Sequence, residues 1–545
     1  MYKILSVILI VLSFSSFGQK KELLTTFHAN KQKSAEGYLL RGVEVGEWKY
    51  WHENGELKQH AFYDGRGNLD SVTTFYYSNG QMEDRGMFSH GKKHGLYESW
   101  YTNGNPEWVG NFVDDQKDGK WQHFFENAQR EYLGFYKNGE KDSTWQYWYN
   151  NGKIHKVEVY KNGSVELIDF YDEKGNQLVK SGNGVVKEHY LDGGLKHEYQ
   201  VVNGHKTGTA KSYYDTGELM AKIEFEKGNK NGIYNIYFKD GAIKDSANYK
   251  DNKQHGYFIS FDQNKQPKVS GNYNQGVEDG TWVWFNKGKK FIDGGFDMGK
   301  RAGKWTFYYS DGKVEHIGYY EDDLETGDWV YYYPNKQVLR KGKYEKGNRE
   351  GVWTVYYESG QKDHEGPFHL NKENGKWTSW YENGQMKDEG NFVDGLMDGD
   401  WIGFYEDGKP KYEARYNKGV KDGPYKKYFE NGYVEMEGTF VMNVKDGAWK
   451  YNYFKAGSLY REGVYVKGQR NGVWKTHYPE GGVMLEETYE MGMLNGKWVR
   501  YYLGGAKEVE CMYKNNAKNG NYIKYDKAGN KVTKQKYVNN MPVKK

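Results

Sequence analysis

A glycine followed two residues later by tryptophan or tyrosine recurs about every 24 residues, and this period constrains the fold more than any other feature of the sequence. From Gly208 to Gly520 the successive spacings are 24, except for one of 23 and one of 25. Degenerate copies bring the total to about 21 repeats; they begin near Ser71, Ser143, Ser164 and Gly184. Such a period indicates an array of supersecondary units rather than several separate compact domains.

Each repeat reads approximately GxWxxYYxNGxxxxxGxYxxGxxx, as in the stretch that begins at Gly375, and positions are counted below from this first glycine. The Asn-Gly or Asp-Gly at the ninth and tenth positions, such as Asn383-Gly384, predicts a two-residue type I′ turn. A second turn glycine, such as Gly395, leaves two strands of about six to eight residues, rich in aromatic side chains. The repeat is therefore predicted to be a β-hairpin, since no window has a helical apolar period.

A lone hairpin is marginal in water, so the hairpins must pair edge to edge. The prediction is an all-β fold: an elongated single-layer antiparallel sheet of about 21 tandem β-hairpin repeats of 24 residues. Alternation along the first strand places third-position aromatics on one face and sixth-position aromatics on the other. We attribute the first-position glycine to close approach of the neighbouring repeat. The third-position tryptophans are Trp121, Trp145, Trp282, Trp305, Trp329, Trp353, Trp377, Trp401, Trp449, Trp474 and Trp498.

The start of the chain has the features of a secretion signal. Lys3 precedes the apolar run from Ile4 to Leu12, and small residues near Gly18 suit a signal peptidase. A buried N-terminal strand is the alternative. We predict a signal peptide at 1–19, an N-terminal cap or linker at 20–41, the repeat array at 42–530 (irregular at 153–207) and a C-terminal tail at 531–545. Export to the periplasm, surface or medium of a Gram-negative bacterium follows, with no integral membrane segment after cleavage.

Composition and motifs argue against several other classes. The 52 Tyr, 25 Phe and 18 Trp are too many for a disordered chain, and a net charge of +4 argues against nucleic-acid binding. The single cysteine, Cys511, rules out an internal disulfide. GGFDMGK from Gly294 and GMFSHGK from Gly86 have the spacing of a phosphate loop but lack the Ser or Thr and the helix that should follow. Without HExxH, paired Cys-x-x-Cys or G-x-S-x-G, we expect no enzyme, no catalytic residue, no cofactor and no metal.

The consensus resembles the MORN repeat, specifically its bacterial variant, whose units read much like YYENGQxKxEGNYKNGKKDG. The match is closest in WYENGQMKDEGNFVDGLMDG, from Trp380 to Gly399, and it covers nearly the whole chain apart from 153–207. The resemblance implies an elongated, gently twisted antiparallel sheet and a scaffold or binding role rather than catalysis. Some bacterial members of the family are labelled antitoxin-like.

We predict an exported, non-enzymatic repeat scaffold that mediates protein–protein binding in the cell envelope. The alternatives are a repeat protein that binds cell-wall or surface glycans, suggested by the G-x-W-x-x-Y-Y pattern, and an antitoxin-like neutraliser of a protein toxin. The candidate partner-binding face is the sixth-position column, because exposed aromatic rows mark binding surfaces. Mutual packing beneath lysine and glutamate stems is the structural alternative. The column consists of Trp100, Trp148, Tyr237, Tyr308, Tyr332, Tyr356, Trp380, Phe404 and Tyr428.

Overall fold

The computed structural model describes residues 20–544, and the predicted signal peptide lies outside this range. Within it the chain forms 47 β-strands and no helix, which confirms the all-β prediction. No helix of the described chain has the length and apolarity to cross a membrane. The chain divides into two compact units, the first ending at Gly256 and the second beginning at Tyr257.

The strands of the first unit are β1 (Glu22–Phe27), β2 (Lys33–Leu40), β3 (Val43–Trp51), β4 (Leu57–Tyr63), β5 (Ser71–Tyr76), β6 (Met82–Ser89), β7 (Lys92–Trp100), β8 (Pro106–Val113), β9 (Gln116–Phe124), β10 (Arg130–Lys137), β11 (Glu140–Trp148), β12 (Ile154–Lys161), β13 (Ser164–Tyr171), β14 (Gln177–Lys180), β15 (Asn183–His189), β16 (Leu195–Val202), β17 (His205–Tyr213), β18 (Leu219–Glu226), β19 (Asn229–Tyr237) and β20 (Ile243–Lys250). The division falls within β21 (Lys253–Phe261).

The strands of the second unit are β22 (Pro267–Asn274), β23 (Val277–Asn286), β24 (Lys289–Asp297), β25 (Lys300–Tyr308), β26 (Val314–Glu321), β27 (Leu324–Tyr332), β28 (Val338–Glu345), β29 (Asn348–Tyr356), β30 (Lys362–His369), β31 (Lys372–Glu373), β32 (Gly375–Trp380), β33 (Met386–Val393), β34 (Leu396–Phe404), β35 (Pro410–Asn417), β36 (Val420–Tyr428), β37 (Val434–Val441), β38 (Val444–Asn452), β39 (Leu459–Val466), β40 (Gln469–His477), β41 (Val483–Glu490), β42 (Met493–Tyr501), β43 (Lys507–Lys514), β44 (Ala517–Lys518), β45 (Gly520–Tyr525), β46 (Lys531–Val538) and β47 (Met541–Pro542).

Within each unit, strands pair antiparallel with the strands before and after them in sequence, as β1 does with β2 and β34 does with β33 and β35. Their principal contacts are with these same neighbours, so within residues 20–544 no second sheet packs against either face of a unit. Each unit is therefore a single layer of tandem hairpins, as predicted.

The type I′ turn predicted at the ninth and tenth positions is wrong. Gly384 has a φ of +86°, but Asn383 is not among the residues with positive φ, which a type I′ turn requires. The N–H of Tyr381 donates to the carbonyl of Gln385 (2.8 Å), which gives a type I turn with a bulge at the glycine. The Asn383 side chain forms two hydrogen bonds: its Oδ1 accepts the N–H of Gln385 (2.8 Å), and its Nδ2 donates to the carbonyl of Glu406 in the next repeat (3.0 Å).

Type I′ geometry occurs at the second turn of the repeat. Asp394 and Gly395 both have positive φ, 51° and 83°. Elsewhere Asp or Asn fills the place of the glycine, as at Asp323 (φ 69°), and then links the repeats. The Asp323 carboxylate accepts the N–H of Arg301 in the preceding turn (2.9 Å). Both edges of the layer therefore carry hydrogen bonds between successive repeats.

The core lies on one side of the layer, which we name the tryptophan face. Trp401 represents its pattern: the side chain is 6% exposed and its Nε1 donates to the carbonyl of Asn391 (3.1 Å). Phe392 and Tyr416 meet the indole edge to face, with ring centroids 5.1 and 6.3 Å away. Such T-shaped contacts repeat along the face and add to the burial of apolar area.

The glycine that makes room for this ring is at the sixteenth position, not the first. A Cβ on Gly390 would overlap the Trp401 ring, whereas a Cβ on Gly399 would meet no atom within 4 Å. Gly399 is required for a different reason: its φ of +72° forms a bulge, where the pairing jumps from Glu389–Ile402 to Asn391–Asp398. The close-approach prediction for the first-position glycine is therefore wrong.

Within residues 153–207, smaller side chains replace the tryptophans. Strand β14 has only four residues, and the local core consists of Phe170, Val179, Val186 and Val201. The β-ladder continues through this part of the first unit.

Candidate functional site

The tryptophan face is closed by cationic side chains that lie two residues before the first-position glycine. The Lys117 ammonium is 4.3 Å from the centre of the Trp121 ring, and Lys445 is 4.2 Å from that of Trp449. These aliphatic stems cover the rings while the charges reach solvent. The side chains of this face are thus used by the fold, which directs attention to the opposite face.

All nine residues of the predicted column are half-buried. In the first unit, Trp100, Trp148 and Tyr237 end strands β7, β11 and β19, which are not successive repeats. The Arg130 guanidinium lies 5.2 Å from the centre of the Trp148 ring, and Asn235 donates to the hydroxyl of Tyr237 (3.3 Å).

In the second unit the other six form an uninterrupted row, the aromatic column. They end the first strands of six successive hairpins, so neighbouring members are two strands, or about 10 Å, apart. Five of the six backbone carbonyls accept a tyrosine hydroxyl of the preceding repeat: Tyr381 donates to the carbonyl of Phe404 (2.9 Å) and Tyr405 to that of Tyr428 (2.6 Å). The column members are Tyr308, Tyr332, Tyr356, Trp380, Phe404 and Tyr428.

Sequence reasoning missed a row of glutamates beside this column. They occupy the fifteenth position of seven successive repeats (the sixteenth in the 25-residue repeat that begins at Gly447), and their recurrence every 24 or 25 residues was the signal that could have revealed them. The Tyr428 hydroxyl donates to Glu413 (2.6 Å), and Tyr501 donates to Glu486 (2.9 Å). Burial and the hydrogen bond to Glu413 raise the pKa of Tyr428 to about 12. The glutamate row consists of Glu365, Glu389, Glu413, Glu437, Glu462, Glu486 and Glu510.

Glu413 differs from the other members of the row. Each of the others has a basic partner within 4.0 Å: Lys362 with Glu365, Lys376 with Glu389, Lys426 and Lys450 with Glu437, His477 with Glu462, Lys475 with Glu486, and Lys507 with Glu510. Within residues 20–544, Glu413 forms no ion pair. Its carboxylate is therefore the one in this row whose charge the described chain leaves uncompensated at close range.

Two adjoining cavities on this face meet at Glu413, and together we name them the Glu413 groove. Their volumes are about 590 and 390 Å³, and both are lined by Glu413 and Pro424. The groove crosses seven successive strands, β32 to β38. The second-position side chains shorten to Pro424 and Ala448 in the groove, whereas longer ones such as Lys304 and Lys497 occupy that position in repeats outside it.

This face therefore offers half-buried aromatic rings, a carboxylate and a groove. Within the described chain, no group of three or more His, Cys, Asp or Glu side chains could hold a metal ion. The arrangement is suited to binding through stacking, ion pairing and hydrogen bonding.

Tandem hairpins with linked turns, in a single layer with one aromatic core face, define a β-hairpin repeat protein. A family model described as "MORN repeat variant" matches nine segments, at residues 44–64, 141–162, 206–227, 301–322, 325–346, 349–369, 373–394, 397–418 and 421–442. The chain belongs to the MORN-repeat family, as its resemblance predicted.

A search of curated proteins found no match. Among solved structures, a chain of "Crystal Structure of TcdB2-TccC3-Cdc42" is 10% identical, with 95% of this chain and 31% of that chain covered and a TM-score of 0.14. A chain of a Photorhabdus luminescens Tc holotoxin pore is also 10% identical, with 94% and 35% covered and a TM-score of 0.11. The chain thus spans about a third of the length of these structures. Likeness at this level assigns neither fold nor function.

Proposed function

We propose that the protein is an exported, non-enzymatic scaffold of the cell envelope that binds another protein through the face bearing the aromatic column. The observation that carries this proposal is the uninterrupted row of six half-buried rings beside the glutamate row and the Glu413 groove. The signal-like residues 1–19 support the proposed location.

The column has the composition and size of a protein-binding surface. Tyrosine and tryptophan dominate binding hot spots because they bury large area with little loss of conformational freedom. Six rings at two-strand intervals extend over roughly 50 Å of the layer, a length suited to an extended partner. The fold does not need these rings for its core, because the core is on the tryptophan face.

Site-specific photo-crosslinking in the source cells tests this proposal. A benzophenone amino acid replaces Tyr356 in the column, and the matched control replaces Glu406 at an exposed first turn of the same unit. We expect a discrete protein adduct from position 356 and none from position 406. If no column position yields a protein adduct, the scaffold proposal is wrong.

Glycan binding is the second candidate. An aromatic ring such as Tyr428 can stack on a sugar, and a neighbouring carboxylate such as Glu413 can accept hydrogen bonds from the sugar hydroxyls. Trp380 is the only tryptophan of the aromatic column and therefore serves as the probe. A glycan that changes the tryptophan fluorescence of the wild type, but not that of a Trp380→Phe variant, would favour this candidate over protein binding.

A further inference from the structure

The Glu413 groove indicates the chemistry of the partner. We propose that it holds an extended segment of the partner protein whose arginine or lysine side chain pairs with Glu413. This inference rests on the proposed function and deepens it.

The charge of the Glu413 carboxylate indicates which group of the partner would bind there. One oxygen of Glu413 accepts the Tyr428 hydroxyl, and an ionised carboxylate can accept several more hydrogen bonds. Lys426 is its cross-strand neighbour, but the Lys426 ammonium lies 3.9 Å from Glu437. Glu413 therefore presents a fixed, uncompensated acceptor where the two cavities meet, and a guanidinium or ammonium is the complementary group.

The surroundings of Glu413 indicate what flanks that basic side chain. On one side the Ile402 side chain lines the larger cavity. On the other, Lys426 and Lys450 share the single carboxylate of Glu437, at 3.9 and 4.0 Å. Before Glu413 the charges that line the larger cavity pair among themselves, Lys376 with Glu389 and Arg415 with Asp400, whereas beyond Glu413 the cations are in excess. A basic side chain followed by an acidic one on the side of Lys426 and Lys450 matches this order.

The groove runs across the strands, and this direction limits how a partner segment can bind. The groove crosses seven strands, so at about 4.8 Å per strand it is roughly 29 Å long and admits about nine extended residues. A segment that runs across the strands cannot add to the sheet by backbone pairing, which requires a strand alongside an edge. Side chains must therefore provide recognition.

The inference can be tested with a displayed library of random nine-residue peptides. The chain from residue 20 onward is the immobilised target on which binding peptides are selected. We expect peptides enriched in Arg or Lys at one position, and binding about tenfold weaker to Glu413→Gln, the loss of one charge-assisted hydrogen bond. Glu486→Gln is the matched control, since Glu486 also accepts a tyrosine hydroxyl but lies outside the groove.

The inference is overturned if the selected peptides lack basic enrichment, or if Glu413→Gln and Glu486→Gln bind them equally. Photo-crosslinking separates this failure from that of the scaffold proposal. A protein adduct at position 356 that forms equally in the Glu413→Gln background keeps the scaffold and rejects the Glu413 contact.

Discussion

Replacing Gly390 by alanine should loosen strands β33 and β34, because the new methyl group and the Trp401 ring cannot occupy the same space. All of the nearest atoms to such a Cβ belong to that ring. The ring sits between Phe392 and Tyr416 and cannot move without breaking its hydrogen bond to the Asn391 carbonyl.

The chain itself shows what happens when the sixteenth position is not glycine. Glu487 occupies it before Trp498, and there Gly496 has a φ of +125°, against +72° for Gly399. Alanine occupies it at Ala414, where the following third-position residue is Tyr425. A side chain at this position therefore occurs with a changed backbone at the next first-position glycine or with a smaller aromatic.

The expected cost of Gly390→Ala is about 2–4 kcal/mol, from overpacking of about 1–3 kcal/mol and one lost hydrogen bond of about 1 kcal/mol. Gly399→Ala should cost about 1–2 kcal/mol through its left-handed backbone alone. Trp401→Tyr in the Gly390→Ala background should recover part of the loss, as the Ala414 and Tyr425 pair suggests, but should recover nothing in the Gly399→Ala background.

Hydrogen exchange measured on peptides from β33 and β34 is the appropriate assay, because a long repeat array does not unfold as one two-state unit. Peptides from β45 and β46 serve as the internal reference. Unchanged exchange in Gly390→Ala, or equal rescue by Trp401→Tyr in both backgrounds, would refute the close-packing argument.

Three further measurements test individual contacts. Tyr381→Phe removes the hydroxyl bonded to the Phe404 carbonyl and should cost about 1 kcal/mol, seen as faster exchange at the first turns it joins; unchanged exchange would contradict it. Burial between Phe307 and Tyr331 lowers the pKa of His316 to about 4. The free energy of unfolding that the neutral ring contributes above about pH 6.5 should therefore fall as the pH drops towards 4. In an acid titration followed by circular dichroism, His316→Phe should show a smaller loss. Burial and the charge of Glu83 raise the pKa of Asp84 to about 6, so ionisation of Asp84 opposes folding as the pH rises through that value. The Asp84→Asn variant should therefore be more stable than the wild type at about pH 7 and equal to it at about pH 4.

The hairpin repeat could be predicted because its determinants are local. Strand alternation and turn residues act within one repeat, so the period of 24 residues carries them directly. The identity of the turns could not be predicted, because an Asn-Gly dipeptide is compatible with either turn and the contacts of Asn383, such as that with Glu406, reach into the next repeat. The close approach predicted for Gly399 belongs to Gly390 for a similar reason, since only the paired strands show which glycine the indole covers.

The candidate site was predictable in part. Alternation assigned Trp380 and its equivalents to the face opposite the tryptophans, and their half-buried state agrees with that placement. The Glu413 groove depends on which lysine reaches which glutamate. Sequence places Lys426 as close to Glu413 as to Glu437, and only the side-chain geometry shows that its ammonium lies with Glu437.

The fifteenth position varies among repeats that share the same hairpin. Val109, Leu133, Ile317 and Lys341 occupy it in repeats that form the same antiparallel hairpin, so the fold does not require glutamate there. Glutamate then fills it in seven successive repeats, all beside or beyond the aromatic column. Six of these glutamates form ion pairs within the described chain, and Glu413 forms none. The tryptophan face supplies the stability that the hairpins share, which leaves the side chains of the opposite face free to vary.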